Sequence, residues 1–79
     1  MLREKELRLV VTFHTTAGAM GTEKLCREAE IPGKLITVPR CLSSDCGLAF
    51  CTGLEQRPVL EPLLRGEALD VDGFYELPL

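Results

Sequence analysis

Residues 7–13 alternate strictly, with Leu7, Leu9, Val11 and Phe13 on one side and Arg8, Val10 and Thr12 on the other. A period of two over seven residues predicts a half-buried strand, and the period changes directly after it. Thr15 or Thr16 is placed to cap a helix running to about residue 30, with Met20, Leu25, Cys26 and Ala29 as its loosely periodic apolar positions. Gly18 and Gly21 weaken the first half of that helix and are expected to mark a close backbone approach. Ile31-Pro32-Gly33 stops it, because Pro cannot extend a helix and Gly tolerates the left-handed conformation of a helix exit.

Residues 34–38 read as a second strand ended by Pro39, residues 40–45 as a turn, and residues 47–52 as a third strand with Leu48 and Phe50 on one face. Strands two and three are expected to form a hairpin. Leu60, Leu63 and Leu64 stand at helical spacing within residues 54–65, but Pro58 and Pro62 do not sit comfortably in one helix, which predicts a short or kinked element. Residues 66–73 read as a loop or strand approach, and residues 74–77 as a last strand ended by Pro78. The order βαββαβ predicts an α+β fold, a ferredoxin-like sandwich with a four-stranded antiparallel sheet and two helices on one face. No linker or internal repeat interrupts it, so residues 1–79 read as a single domain.

Size and charge narrow the function classes. With 79 residues the chain has room for one modest core, near the limit at which a staple or partner is needed, so a homodimer is an expectation to test. A composition of 46% hydrophobic and 27% charged residues is that of an ordinary globular protein. Nine basic residues, scattered among twelve acidic ones for a net charge of -3, speak against nucleic acid as a partner. The polar segment of residues 1–6 leads into an apolar run too short for a signal peptide or membrane span, which predicts a cytoplasmic protein with no membrane partner. The four cysteines are then expected to be mostly reduced.

In the predicted topology the end of strand one, the start of the first helix, the end of strand two and the start of strand three share one rim. His14, Thr15, Thr16, Arg40, Cys41, Ser43, Ser44 and Cys46 are expected to converge there, beside the positive end of the first helix dipole. A thiolate is favoured in such a place, and Cys46, on a short loop next to Gly47 where its sulfur is expected to be reachable by other molecules, is the first candidate for chemistry. Gly47 either lets backbone N–H groups approach a charged sulfur or simply relieves a tight turn. Taken singly, His14 and Arg40 read more readily as a strand-end residue and a solvated cation than as partners of the thiol. For Cys41 three roles stay open: a resolving thiol for Cys46, a second acceptor of the same cargo, or an exposed turn residue.

Cys26 reads as helix packing and Cys51 as a small residue on strand three, near the opposite edge of the sheet. The C-x4-C-x4-C spacing of Cys41, Cys46 and Cys51 lacks the tight pairs of structural zinc and common iron–sulfur sites, so no metal and no cofactor is expected. No adenylation, phosphate-loop or paired-carboxylate signal is present either, which points away from independent turnover of a small substrate.

Val11-Thr12-Phe13-His14-Thr15-Thr16, Glu23-Lys24-Leu25, Ile31-Pro32, Val38-Pro39-Arg40 with Leu42-Ser43-Ser44, and Cys46-Gly47-Leu48-Ala49 together resemble the putative selenium/sulfur carrier protein-like family. The resemblance covers nearly the whole chain, and the last two blocks are its specific part. It implies that Cys46, the cysteine before Gly47, carries sulfur or selenium as a persulfide or perselenide between a donor and an acceptor protein. Arg40, His14, Ser43 and Ser44 would then hold the charged chalcogen. Cys41 and Cys51 stand where the family pattern has other residue types. Two other classes stay open: a dithiol redox module cycling between Cys41 and Cys46, and a noncatalytic ferredoxin-like binding or regulatory domain.

Overall fold

The computed structural model describes residues 6–42 and 46–79. Strand β1 (Leu7–Phe13) leads into helix α1 (Thr16–Glu28), then β2 (Lys34–Thr37) and β3 (Leu48–Gly53). A 3-10 turn, Leu54–Gln56, passes into helix α2 (Arg57–Arg65), and β4 (Val71–Pro78) closes the domain. The strands lie in the order β2-β3-β1-β4 and every adjacent pair is antiparallel. This is the predicted α+β arrangement, and its order is that of a ferredoxin-like sandwich.

Register sorts the side chains onto two faces. Leu35, Phe50, Val11 and Phe74 form one row across the sheet, on the face that packs against the helices. The core there joins Leu9, Val11, Phe13 and Phe50 of the sheet to Ala19 and Cys26 of α1 and to Leu60 and Leu64 of α2, so both helices cover the same face. On the other face the matching row is Lys34, Cys51, Val10 and Tyr75.

Helix α1 starts where a capping threonine is available. Thr15 has extended backbone angles, and its hydroxyl accepts the Gly18 N–H at 3.1 Å, satisfying a donor the first turn leaves open. Its far end departs from the sequence expectation. Glu30, not Gly33, takes the left-handed conformation, with φ of 59°, while the Ile31 N–H donates to the Cys26 carbonyl at 2.8 Å and the Glu30 N–H to the Arg27 carbonyl at 3.2 Å. This Schellman closure forms as soon as Ile31 can fold back onto the core, two residues before the proline. Gly33 serves packing instead, since a Cβ there would strike the Phe50 ring.

Both prolines of α2 are accommodated in one helix. Pro58 sits in the first turn, where no intrahelical donor is needed, and Pro62 lies inside, where its missing N–H leaves the Pro58 carbonyl without its helical partner. Full burial of Leu60 and Leu64 offsets that loss, as burying a leucine contributes about 2 kcal/mol. Arg57 ties the helix to β4 through Glu76 at 2.6 Å and to its own next turn through Glu61 at 2.9 Å. The last strand begins three residues earlier than the sequence pattern indicates, because Val71 pairs with Phe13 across an irregularity in the β1–β4 ladder.

Candidate functional site

The rim at the end of β1 is built largely by α1 and by the chain entering β4. Gly18 and Gly21 let the segment before β4 lie directly on α1: a Cβ at Gly18 would run into the Leu69 carbonyl, and one at Gly21 would meet a Leu69 methyl at 2.9 Å. The close approach expected of these glycines is therefore present. It brings Asp70 against the start of the helix. The His14 N–H donates to the Asp70 carbonyl at 2.8 Å, and the Thr15 hydroxyl, while accepting from Gly18, donates to Asp70 Oδ2 at 2.9 Å. These bonds hold Asp70 in a left-handed conformation, with φ of 55°.

Asp72 stands next to it. Its carboxylate accepts from the Thr12 hydroxyl at 3.3 Å and lies 3.6 Å from His14 Nε2, forming an ion pair when the imidazole is protonated. His14 is half exposed. Asp70 and Asp72 were not among the residues expected at the rim. The signal was available in the topology, since a fourth strand antiparallel to β1 must start where β1 ends, but residues 66–73 carried no periodic pattern to anchor its first residue.

Cys46 enters the rim from the other side. The Val38 N–H donates to the Gly47 carbonyl at 3.1 Å, extending the β2–β3 hairpin one step beyond its strands and setting Cys46 over the first turn of α1. There its sulfur lies 3.6 Å from Thr16 Oγ1, to which the thiol donates, and accepts the Leu48 N–H at 3.3 Å. The location follows the sequence reading, but the exposure does not. Cys46 is 4% exposed and belongs to the apolar core cluster with Phe13, Ala19 and Phe50. The expectation of a freely reachable sulfur is thus corrected: the hairpin folds its start inward onto α1, and the exposed thiol of this loop is Cys41.

The structure brings Cys46, Thr16, Thr15 and His14 to one rim. Arg40 and Cys41 lie on the loop nearby, both exposed, and Arg40 makes no ion pair among the described residues. Ser43 and Ser44 lie outside the described residues. Among the described residues nothing lies within 4 Å of where a Gly47 Cβ would stand, and its φ is not positive, so no described group requires a glycine there.

The other two cysteines are where the sequence put them. Cys26 is 1% exposed in the core, and burial, with the nearby Glu23 carboxylate adding to it, pushes its thiol up to about 11. Cys51 lies on β3 away from the rim. All four cysteines are free. No three His, Cys, Asp or Glu side chains among the described residues are grouped so as to hold a metal ion, and no described helix is long and apolar enough to cross a membrane.

Chemically, the rim offers one sulfur that accepts a backbone N–H and donates to a hydroxyl, over the first turn of a 13-residue helix. A family model described as putative Se/S carrier protein-like matches residues 8–76. No curated protein and no solved structure matches the chain.

Proposed function

Because the chain belongs to the putative Se/S carrier protein-like family, we propose that it carries sulfur or selenium on Cys46 between a donor and an acceptor protein. The observation that carries this reading is the setting of Cys46 Sγ: over the first turn of α1, bonded to the Leu48 N–H and to Thr16, with no described group within 4 Å of where a Gly47 Cβ would stand.

In the proposed reaction the Cys46 thiolate attacks the terminal sulfur of a donor persulfide. The new S–S bond forms as the donor's own S–S bond breaks, and the donor leaves as a thiolate. Cys46 then bears the terminal sulfur as an anion, and no oxidant is consumed. Perselenide transfer follows the same steps. The Leu48 N–H and Thr16 hold Sγ over the α1 terminus, and Arg40 on the loop, with His14 at the strand end when its imidazole is protonated, supplies positive charge to the terminal anion. Attack by an acceptor thiol on the terminal atom reverses the process.

A sulfur that is 4% exposed does not meet a protein donor in the resting state. Loading therefore includes a local opening of the hairpin start from α1, of the kind that costs less than global unfolding. Gating of this sort protects the terminal chalcogen from stray thiols between partners. Four free cysteines suit a reducing compartment, which supports a cytoplasmic setting.

The reading is tested by incubating the protein with a cysteine desulfurase and cysteine, then measuring intact mass. One added sulfur is expected on the wild type and on Cys26→Ala, and none on Cys46→Ala. Equal loading of Cys46→Ala would remove Cys46 from the mechanism.

A further inference from the structure

At the opposite end of the sheet from the Cys46 rim, on the face the helices leave uncovered, lies a groove of about 730 Å³. That volume is in the range of small-ligand sites. Cys51 lines it, flanked by Lys34, its direct partner on β2, and by Val10, its partner on β1. One row further, Arg8 pairs with Gly53. Arg8 is thus a diagonal neighbour of Cys51, within reach of a long side chain. Gly53 contributes no side chain, and the Glu55 carboxylate folds over the space where its Cβ would be.

Three features of this groove point to a ligand. Arg8 and Lys34 form no ion pair with any described residue. Cys51 is only 6% exposed, the thiol has no hydrogen-bond partner among the described residues, and its remaining exposure opens into the groove. Glu55 sets one negative group beside the two cations. Two cations, one carboxylate and a thiol match an amino-acid-derived thiol that carries two carboxylates and one ammonium.

We propose that this groove binds an anionic low-molecular-weight thiol and holds it as a mixed disulfide with Cys51. The co-reactant is the symmetrical disulfide of that thiol, and because Cys51 is 6% exposed its attack includes a local opening of the groove wall, as loading of Cys46 includes one at the rim. The Cys51 thiolate attacks one of its sulfurs, the small molecule's S–S bond breaks as the Cys51–S–S–R bond forms, and the released thiolate takes up the proton that Cys51 gave to solvent. One disulfide is exchanged for another, so the electrons balance. Arg8 and Lys34 hold the carboxylates, which makes the exchange selective for charge. None of this involves Cys46, so it stands or falls separately from the carrier reading.

The test uses a Cys41→Ser background, which removes the exposed thiol. The protein is incubated at low salt with oxidised glutathione, with the neutral hydroxyethyl disulfide, or with the cationic cystamine, and adducts are located by peptide mass. Oxidised glutathione is expected to modify Cys51 about tenfold faster than cystamine, and the preference should shrink as salt screens exposed charges over about 10 Å at 0.1 M. Arg8→Gln with Lys34→Gln, both on the sheet surface, should abolish the preference while Cys46→Ala leaves it intact. An unmodified Cys51, equal rates with all three disulfides, or a preference that survives the double substitution would overturn the proposal.

Discussion

Gly18→Ala probes whether the rim is assembled by contact between α1 and the chain entering β4. In an isolated helix the change should help, because alanine is favoured over glycine by about 1 kcal/mol. In this fold the new methyl runs into the Leu69 carbonyl. That carbonyl is backbone, and Asp70, the next residue, is fixed by the His14 N–H at 2.8 Å and the Thr15 hydroxyl at 2.9 Å. Overpacking against a fixed group costs about 1–3 kcal/mol, and losing the two hydrogen bonds costs about 1 kcal/mol each. Set against the helix gain, the net is a destabilisation of about 2–4 kcal/mol. For a chain of 79 residues, with 1 kcal/mol worth about 4–8 °C, Tm should fall by about 10–30 °C. Gly21→Ala is the internal control. Its methyl meets only the end of the flexible Leu69 side chain, so with the helix gain its stability should equal that of the wild type or exceed it by up to about 1 kcal/mol. Urea unfolding followed by circular dichroism measures both. A Gly18→Ala protein as stable as the wild type, or one less perturbed than Gly21→Ala, would refute the proposed packing of the rim.

Two further predictions concern α1. Burial and Glu23 raise the Cys26 thiol from 9.0 to about 11, so above pH 9 the unfolded chain ionises this group while the folded one does not. Its contribution is intact below pH 9 and is lost as pH rises to 11, at about 1.4 kcal/mol per unit and about 3 kcal/mol in all; the wild-type stability curve should therefore fall more steeply over that window than that of Cys26→Ala, and parallel curves would contradict it. Glu30→Gly should raise stability by about 1 kcal/mol, by removing the cost of a left-handed non-glycine residue at the helix exit, and a lower urea midpoint would count against the observed closure.

The sequence was most readable where a local pattern and the tertiary environment agree. The alternation of residues 7–13 marks β1 to the residue because Leu9, Val11 and Phe13 pack into the core on one face, although Leu7 is exposed and Val10 and Thr12 are buried on the other, so the strand is more than half-buried. Thr15 marks the start of α1 because capping is decided within three residues. The prolines of α2 pointed to a short element, and the helix is nine residues long; that both sit within it follows from the burial of Leu60 and Leu64, which only the packed sheet supplies. Topology alone brought Cys46 and His14 to one rim. What it could not convey was depth: whether a residue at a strand mouth faces solvent or the first turn of a helix depends on the tilt of the hairpin against α1, and no periodicity encodes that tilt. The partnership of His14 with Asp72 was hidden for a related reason, since Asp72 lies 58 residues away from it along the chain and on a strand whose beginning has no alternating pattern.

Exposure and chemistry name different cysteines on the same loop, and that contrast allows the most direct measurement. Wild-type protein with all four thiols intact is loaded by a desulfurase, alkylated, digested, and the added sulfur quantified on each cysteine-containing peptide. The carrier account predicts that the sulfur resides on Cys46 in spite of its burial. Sulfur found on the exposed Cys41, with Cys46 unmodified, would contradict it.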